Sequence, residues 1–214
     1  MQIISHRGFW KSKNEQNTII SFQRSFENGF GIETDIRDLN GKLVISHDIP
    51  QNSSELIYLT DVLDLAKSYS NDSALTIALN IKADGLVRLL DYDLKLKNIK
   101  GLNIFVFDMS VPDMRDYFKN ELIVYTRLSE VELSPSYYEV STGIWLDSFE
   151  TNWFDSKLIE KHINNGKKIC IVSSELHGRE KSDLWDIIYP LRGEENLMLC
   201  TDQPNEAKVF FDLE

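Results

Sequence analysis

Gly31-Ile32-Glu33-Thr34-Asp35-Ile36-Arg37-Asp38-Leu39-Asn40-Gly41-Lys42-Leu43-Val44-Ile45-Ser46-His47-Asp48 combines two closely spaced carboxylates, an Asn-Gly turn and a histidine. Residues 30–36 read as a β-strand, on which side chains alternate faces, so Glu33 and Asp35 point to the same side. Two carboxylates side by side repel unless something positive sits between them. A hard divalent cation bound by oxygens is the usual resolution. Asn40-Gly41 makes a tight hairpin. The returning strand, 42–46, delivers His47 and Asp48 back near the same end. A histidine beside an oxygen-ligand site is a candidate proton carrier.

Outward from this stretch, short apolar strands alternate with amphipathic helices. Strands are expected over 2–5, 30–36, 74–81, 102–107, 122–125, 143–146, 168–172 and 196–200. Helices are expected over 19–27, 56–69, 85–95, 112–118, 155–164, 181–191 and 206–211. Residues 49–54 read as polar and irregular, and 129–140 as irregular because Pro135 breaks a long helix. The strand cores are apolar without clean alternation, as expected when helices cover them. The pattern predicts an α/β fold, a (β/α)8 TIM barrel over 1–214 as one domain, with a small hairpin extension after the second strand.

Active sites of such barrels lie at the C-terminal ends of the strands. His6-Arg7, Glu33 and Asp35, Asn80 and Lys82, Asp108, Arg127, Asp147, Glu175 and Asp202 all fall at or near those ends. His6-Arg7-Gly8 suits anion binding: the glycine lets backbone approach and the arginine offers a fork of donors. Asp84, Asp155 and Asp202 are better explained as helix caps, with Thr60 and either Asn17 or Thr18 capping two others. His162 reads as a solvent-exposed bystander, and His177 as a residue after the seventh strand that could reach the mouth. Phe9, Trp10 and Trp153 read as packing residues.

Composition narrows the partners. Among 214 residues, 42% are apolar and 27% charged, as in folded globular proteins. The net charge of -11 argues against a nucleic-acid or anionic-membrane partner, because those need basic patches. It does not exclude an anionic substrate, because a local cation can reverse the field. No apolar run approaches the roughly 18 residues of a membrane span. Cys170 and Cys200, each in an apolar run, read as buried thiols in a reducing compartment. The opening Met1-Gln2-Ile3-Ile4-Ser5 reads as strand rather than as a cationic leader, so the expected location is cytoplasmic.

Ser5-His6-Arg7-Gly8, Asn17-Thr18, Glu33-Thr34-Asp35, Gly41, His47-Asp48 and Thr201-Asp202-Gln203-Pro204 together resemble the glycerophosphodiester phosphodiesterase family, over most of the chain. The resemblance implies a metal-dependent phosphodiesterase acting on a glycerophosphodiester or a related polyol or lipid diester. His6 and His47 would be the catalytic acid–base pair. Arg7 and Lys82 would bind the substrate phosphate, and Glu33, Asp35 and Asn80 would hold a divalent cation, Mg or Ca. Two positions depart from the family pattern. Gln16 stands where the family usually has Glu. Asn80 stands where it has the Glu that completes the metal site, which leaves Asp147 as a possible substitute ligand. The segment after His47-Asp48 is also short for the family. Two alternatives stay open: a phospholipase C-like lyase or transferase releasing a cyclic phosphate, and a degenerate barrel that binds phosphoesters without turnover.

Overall fold

The structure, a computed structural model, describes residues 1–51, 56–70 and 74–213. In chain order its elements begin β1 (Gln2–His6), α1 (Ile19–Glu27), β2 (Gly31–Leu39), β3 (Lys42–Ile45), α2 (Leu59–Tyr69), β4 (Leu75–Ile81), α3 (Val87–Lys97) and β5 (Leu102–Phe107). They continue with α4 (Val111–Lys119), β6 (Tyr125–Leu128), β7 (Gly143–Leu146), α5 (Ser156–Asn164), β8 (Lys168–Val172), α6 (Ser182–Ile188), β9 (Leu197–Thr201) and α7 (Pro204–Phe210). The strand order β5-β4-β2-β1-β9-β8-β7-β6 is chain order cyclically permuted, with β3 paired only to β2. Parallel strands in that order, joined by helices, are the (β/α)8 barrel expected from the sequence. The connection between β6 and β7, residues 129–142, carries no helix. Of the irregular stretch 49–54, residues 52–54 lie outside those described.

The chain packs as two compact units, Met1–Ser5 with Tyr125–Glu214, and His6–Val124. In His6–Val124, β2, β4 and β5 are parallel neighbours, and β3 returns antiparallel against β2. The hairpin turns on Asn40 (φ 52°) and Gly41 (φ 75°), the two left-handed residues a tight hairpin requires. Ile32 and Ile36 of β2 and Leu75, Ile77, Leu79 and Ile81 of β4 pack with Phe22 and Phe26 of α1 and Leu59, Val62 and Leu63 of α2. The alternate residues of those strands therefore face away from the helices. In the other unit, β1, β9, β8, β7 and β6 are successive parallel neighbours. Gly143 is required there. A Cβ on it would come within 2.5 Å of the Tyr125 ring and 2.6 Å of the Lys168 carbonyl.

Several local expectations give way to tertiary context. The fifth strand begins at Tyr125 rather than 122, because Leu122 still closes α4: its N–H donates to the Tyr117 carbonyl after Glu121 turns left-handed. Thr60 lies inside α2, whose capping acceptor is Asp61, taking the Tyr58 N–H at 3.2 Å. Asp84 does not cap α3; it accepts from the Ser110 N–H and hydroxyl. Asp202 does not cap α7, whose N-cap is Gln203. Thr18 and Asp155 do cap α1 and α5. His162 is buried rather than exposed, and its Nδ1 lies 2.8 Å from the Tyr138 hydroxyl. Burial, with a smaller push from Lys161, lowers its pKa. This pair and Lys167, which donates to the Glu139 and Ser141 carbonyls, hold residues 138–141 in place without a helix.

Candidate active site

The site in His6–Val124 starts where β1 stops. After His6, Arg7 (φ 55°) and Gly8 (φ 83°) are both left-handed. The non-glycine residue costs about 1–2 kcal/mol in that region. Compensating bonds come from the Asn17 N–H (2.9 Å) and the Ser21 hydroxyl (3.2 Å), both donating to the Arg7 carbonyl. A side chain on Gly8 would force Ser21 to shift, since a Cβ would lie 2.4 Å from Ser21 Oγ. This turn aims the Arg7 N–H at Glu33 Oε2, 3.3 Å away, and brings His6 Nε2 to 3.9 Å from the same oxygen.

Glu33 and Asp35 share the face of β2 turned away from the helices. The β2–β4 register sets Asp35 beside Asn80. Both carboxylates are buried, at 1% and 0% exposure. Arg7 Nε lies 3.1 Å from Asp35 Oδ2 and Lys82 Nζ 3.3 Å from Asp35 Oδ1. These are ion pairs in distance, yet neither Arg7 Nε nor Asp35 Oδ1 is aligned for a hydrogen bond. Asn17 locks the arrangement, donating from Nδ2 to Asp35 Oδ2 and accepting at Oδ1 from the Thr34 hydroxyl, both at 2.8 Å. Burial first, and the Asp35 charge second, push the Glu33 pKa up to about 7 against the opposing pull of His6, Arg7 and Lys82.

Hard cations take oxygen ligands, and this donor set is all oxygen. Asp35 Oδ1 and Asn80 Oδ1 are buried without hydrogen-bond partners, which fits such an ion. Among the described residues no three His, Cys, Asp or Glu side chains gather to hold a metal. A cation here therefore needs the Asn80 amide oxygen beside the two carboxylates.

Six of the seven residues expected at the site thus lie together: His6, Arg7, Glu33, Asp35, Asn80 and Lys82. His47 stands apart from their polar contacts. It follows Ser46, whose N–H donates to the Asp35 carbonyl at 3.0 Å. The His47 ring is half-exposed, with Nδ1 2.9 Å from Asp48 Oδ1, and its carbonyl accepts from Arg37 Nε.

Of the remaining strand-end candidates, Asp108 lies in the His6–Val124 unit as a left-handed residue (φ 67°), and Arg127, Asp147, Glu175 and Asp202 form networks in the Tyr125–Glu214 unit. Asp147 is already engaged, with Arg127, His177 and the Ser148 N–H distributed over both of its oxygens. Glu175 accepts from the hydroxyls of Ser173 and Thr201 and from the Asp202 N–H. The aromatics do pack: Phe9 meets Phe30 edge-on, Trp10 Nε1 donates to the His6 carbonyl, and Trp153 Nε1 donates to the Asp147 carbonyl. Composition and position gave no sign that Arg127, Asp147 and His177 pair with one another; their shared place at strand ends was the available signal.

The fold defines the class of protein, a (β/α)8 barrel. Solved structures share this fold. A glycerophosphodiester phosphodiesterase from Agrobacterium tumefaciens superposes with a TM-score of 0.70, covering 99% of both chains at 12% identity. A glycerophosphoryl diester phosphodiesterase from Parabacteroides distasonis gives 0.65, covering 99% of this chain and 86% of that one, also at 12% identity. No protein-family model and no curated protein sequence matches the chain. No helix among the described residues is long and apolar enough to cross a membrane.

Proposed function

We propose that the chain is a phosphodiesterase that hydrolyses a glycerophosphodiester or a related polyol or lipid diester by histidine acid–base catalysis. One observation carries the reading: a buried Glu33–Asp35 pair, flanked by Arg7, Lys82 and His6 at the ends of β1, β2 and β4. The two solved structures of like fold act on glycerophosphodiesters by name, which supports the same substrate class here. The two buried cysteines, Cys170 and Cys200, fit a cytoplasmic setting.

A phosphodiester is an anion that repels nucleophiles, so hydrolysis needs charge neutralised and two protons moved. Arg7 and Lys82, both anchored on Asp35, supply fixed positive charge for the phosphoryl oxygens. One histidine takes the proton of the attacking water as its oxygen bonds phosphorus. The other gives a proton to the departing alkoxide as the P–O bond breaks. His6 and His47 are the pair for these roles, and Glu33 steadies the charged form of His6 across their 3.9 Å separation. Glu33, Asp35 and Asn80 would hold a divalent cation, Mg or Ca, which when bound polarises phosphoryl oxygens.

The test is a panel of glycerophosphocholine, glycerophosphoglycerol and bis(4-nitrophenyl) phosphate. Each is run with Mg, Ca, Mn or a chelator, beside His6→Ala. Cation-dependent turnover that His6→Ala lacks supports the full reading. Turnover that survives chelation keeps the diesterase and removes the cation, leaving Arg7 and Lys82 as the charge source. Absence of turnover on every diester overturns the reading. Phosphorus NMR of the products separates hydrolysis from release of a cyclic phosphate.

A further inference from the structure

The connection between β6 and β7 has no helix, and a cavity of about 490 Å³ is lined by residues of that connection and of α5. Every lining residue belongs to the Tyr125–Glu214 unit, and none to the cluster at Glu33. The connection contributes Leu133, an apolar side chain left 67% exposed. The helix contributes Leu158, and Trp153 adds an aromatic surface. Cavities that hold small molecules run from about 300 to 1,000 Å³ and are mostly apolar, with a few convergent polar groups. This cavity has both properties.

Its polar groups are arranged as donors. His162 is only 8% exposed, yet it lines the cavity. Its Nδ1 lies 2.8 Å from the Tyr138 hydroxyl, whose oxygen also accepts from Asn165 Nδ2 at 3.2 Å. With Asn165 donating to that oxygen, the Tyr138 O–H donates to Nδ1 and the ring proton sits on Nε2. A protonated ring carries a proton on Nε2 as well, so this nitrogen is a donor in both forms. It has no hydrogen-bond partner among the described residues. A donor on a mostly buried ring calls for an acceptor. Lys161, exposed at the rim, forms no ion pair among the described residues. Its charge is felt at His162, whose pKa is lowered by burial first and by Lys161 second. The chain carries a net charge of -11, yet no acidic side chain lines this cavity. Glu132, next to Leu133 in the chain, lies 3.6 Å from Arg127 instead. Apolar walls, an unmet N–H and an unpaired cation together complement an apolar body that ends in a negative charge.

We propose that this cavity binds a small aromatic carboxylate, with its ring against Trp153, Leu133 and Leu158 and its carboxylate at His162 Nε2 and Lys161. The site is independent of the diesterase reading and is tested by binding alone. The probes are 2-naphthoate, its neutral analogue 2-naphthamide, and acetate, each titrated calorimetrically into the full chain. Naphthoate is expected to bind on the order of tenfold tighter than the amide, the contribution of charge-assisted hydrogen bonds. Acetate is expected not to saturate, because it has no ring for the apolar walls. Lys161→Gln is expected to remove most of the preference for naphthoate over the amide, with the thermal midpoint unchanged. Leu133→Glu places a like charge in the wall and is expected to abolish naphthoate binding. Histidine ¹⁵N NMR locates the site, with the His162 ring assigned by its loss in His162→Gln. Its Nε2 resonance is expected to be protonated and to move as naphthoate is added. Lys161→Gln and Leu133→Glu change exposed side chains, so the binding test stands even if His162→Gln does not fold. No saturable naphthoate binding, equal affinity for naphthoate and the amide, or a preference that Lys161→Gln leaves intact overturns the proposal. So does a titration that moves the His6 ring and leaves His162 unmoved, which would place the anion at the Arg7 and Lys82 cluster.

Discussion

Two buried carboxylates at strand ends, Glu33 and Asp147, live in opposite electrostatic circumstances. Glu33 and Asp35 are buried on the same face of β2. The two cations within reach, Arg7 and Lys82, both lean on Asp35, and the Glu33 pKa rises to about 7. Asp147 has an arginine, a histidine and a backbone N–H distributed over its two oxygens. The first arrangement carries unmet demand for positive charge or a proton, including orphaned oxygens on Asp35 and Asn80. The second is met except at one ring nitrogen beyond the carboxylate. Folding alone explains the second. The first is costly to bury, and a proton on Glu33 offsets part of that cost.

The largest expected effect tests that difference in turnover. If the Glu33 cluster is the reacting centre, His6→Ala lowers kcat on a cleaved diester by roughly 10²–10⁴-fold, with its thermal midpoint within a few degrees of the parent. A loss below tenfold would make the cluster a binding feature rather than the site of proton transfer.

The next effect is on stability. Asp147→Ala strands the donors of Arg127, His177 and Ser148, and is expected to cost about 1–3 kcal/mol in urea unfolding. Glu33→Gln removes a buried charge from an unfavourable pair, so at pH 8 in chelator it is expected to leave stability unchanged or raised. Equal destabilisation by both variants would erase the distinction between a met and an unmet carboxylate.

Glycines give a comparison of similar size. Gly8→Ala meets the flexible hydroxyl end of Ser21 but also its backbone carbon at 2.9 Å, at a positive φ. Gly143→Ala meets an aromatic ring and a backbone carbonyl. Overpacking of this kind costs about 1–3 kcal/mol, measured as a shift in the urea midpoint. Only Gly8→Ala is expected to lower diester turnover as well, because it moves the turn that carries His6 and Arg7.

How much of this was legible in the chain depends on the range of the interactions involved. The barrel follows from local alternation of apolar strands and amphipathic helices, and Glu33 and Asp35 share a face because a strand has period two. The β2–β4 register that brings Asn80 beside Asp35 follows from the fold. Charge partners across strands do not. Asp84 reads as a cap until Ser110, 26 residues away, takes both its oxygens. His162 sits on a helix of surface pattern, and only Tyr138 shows why it is buried. The Arg127–Asp147–His177 network needs three strand ends placed at once, which no window of sequence contains. His47 is legible as a hairpin product, but its ring orientation belongs to side-chain contacts with Asp48.

The smallest effect is a slope. Glu33 has an ordinary pKa of 4.5, raised in the fold to about 7. Between those values the folded chain holds a proton that the unfolded chain has released. Stability therefore falls as pH rises through that window. The contribution is fully present below about 4.5 and gone above about 7. Other groups titrate in the same range, so the informative quantity is the difference in urea midpoint between the parent and Glu33→Gln, measured in chelator from pH 4.5 to 8. That difference is expected to shift steadily in favour of Glu33→Gln as pH rises. A flat difference would mean that Glu33 is already ionised and paired, and the contrast with Asp147 would vanish. Repeating the series with Mg or Ca sharpens the result. A cation held by ionised Glu33 competes with the proton, so saturating metal is expected to flatten or reverse the slope for the parent and leave Glu33→Gln unmoved. A slope indifferent to both metals would leave Arg7 and Lys82 as the charge that the buried pair was built to use.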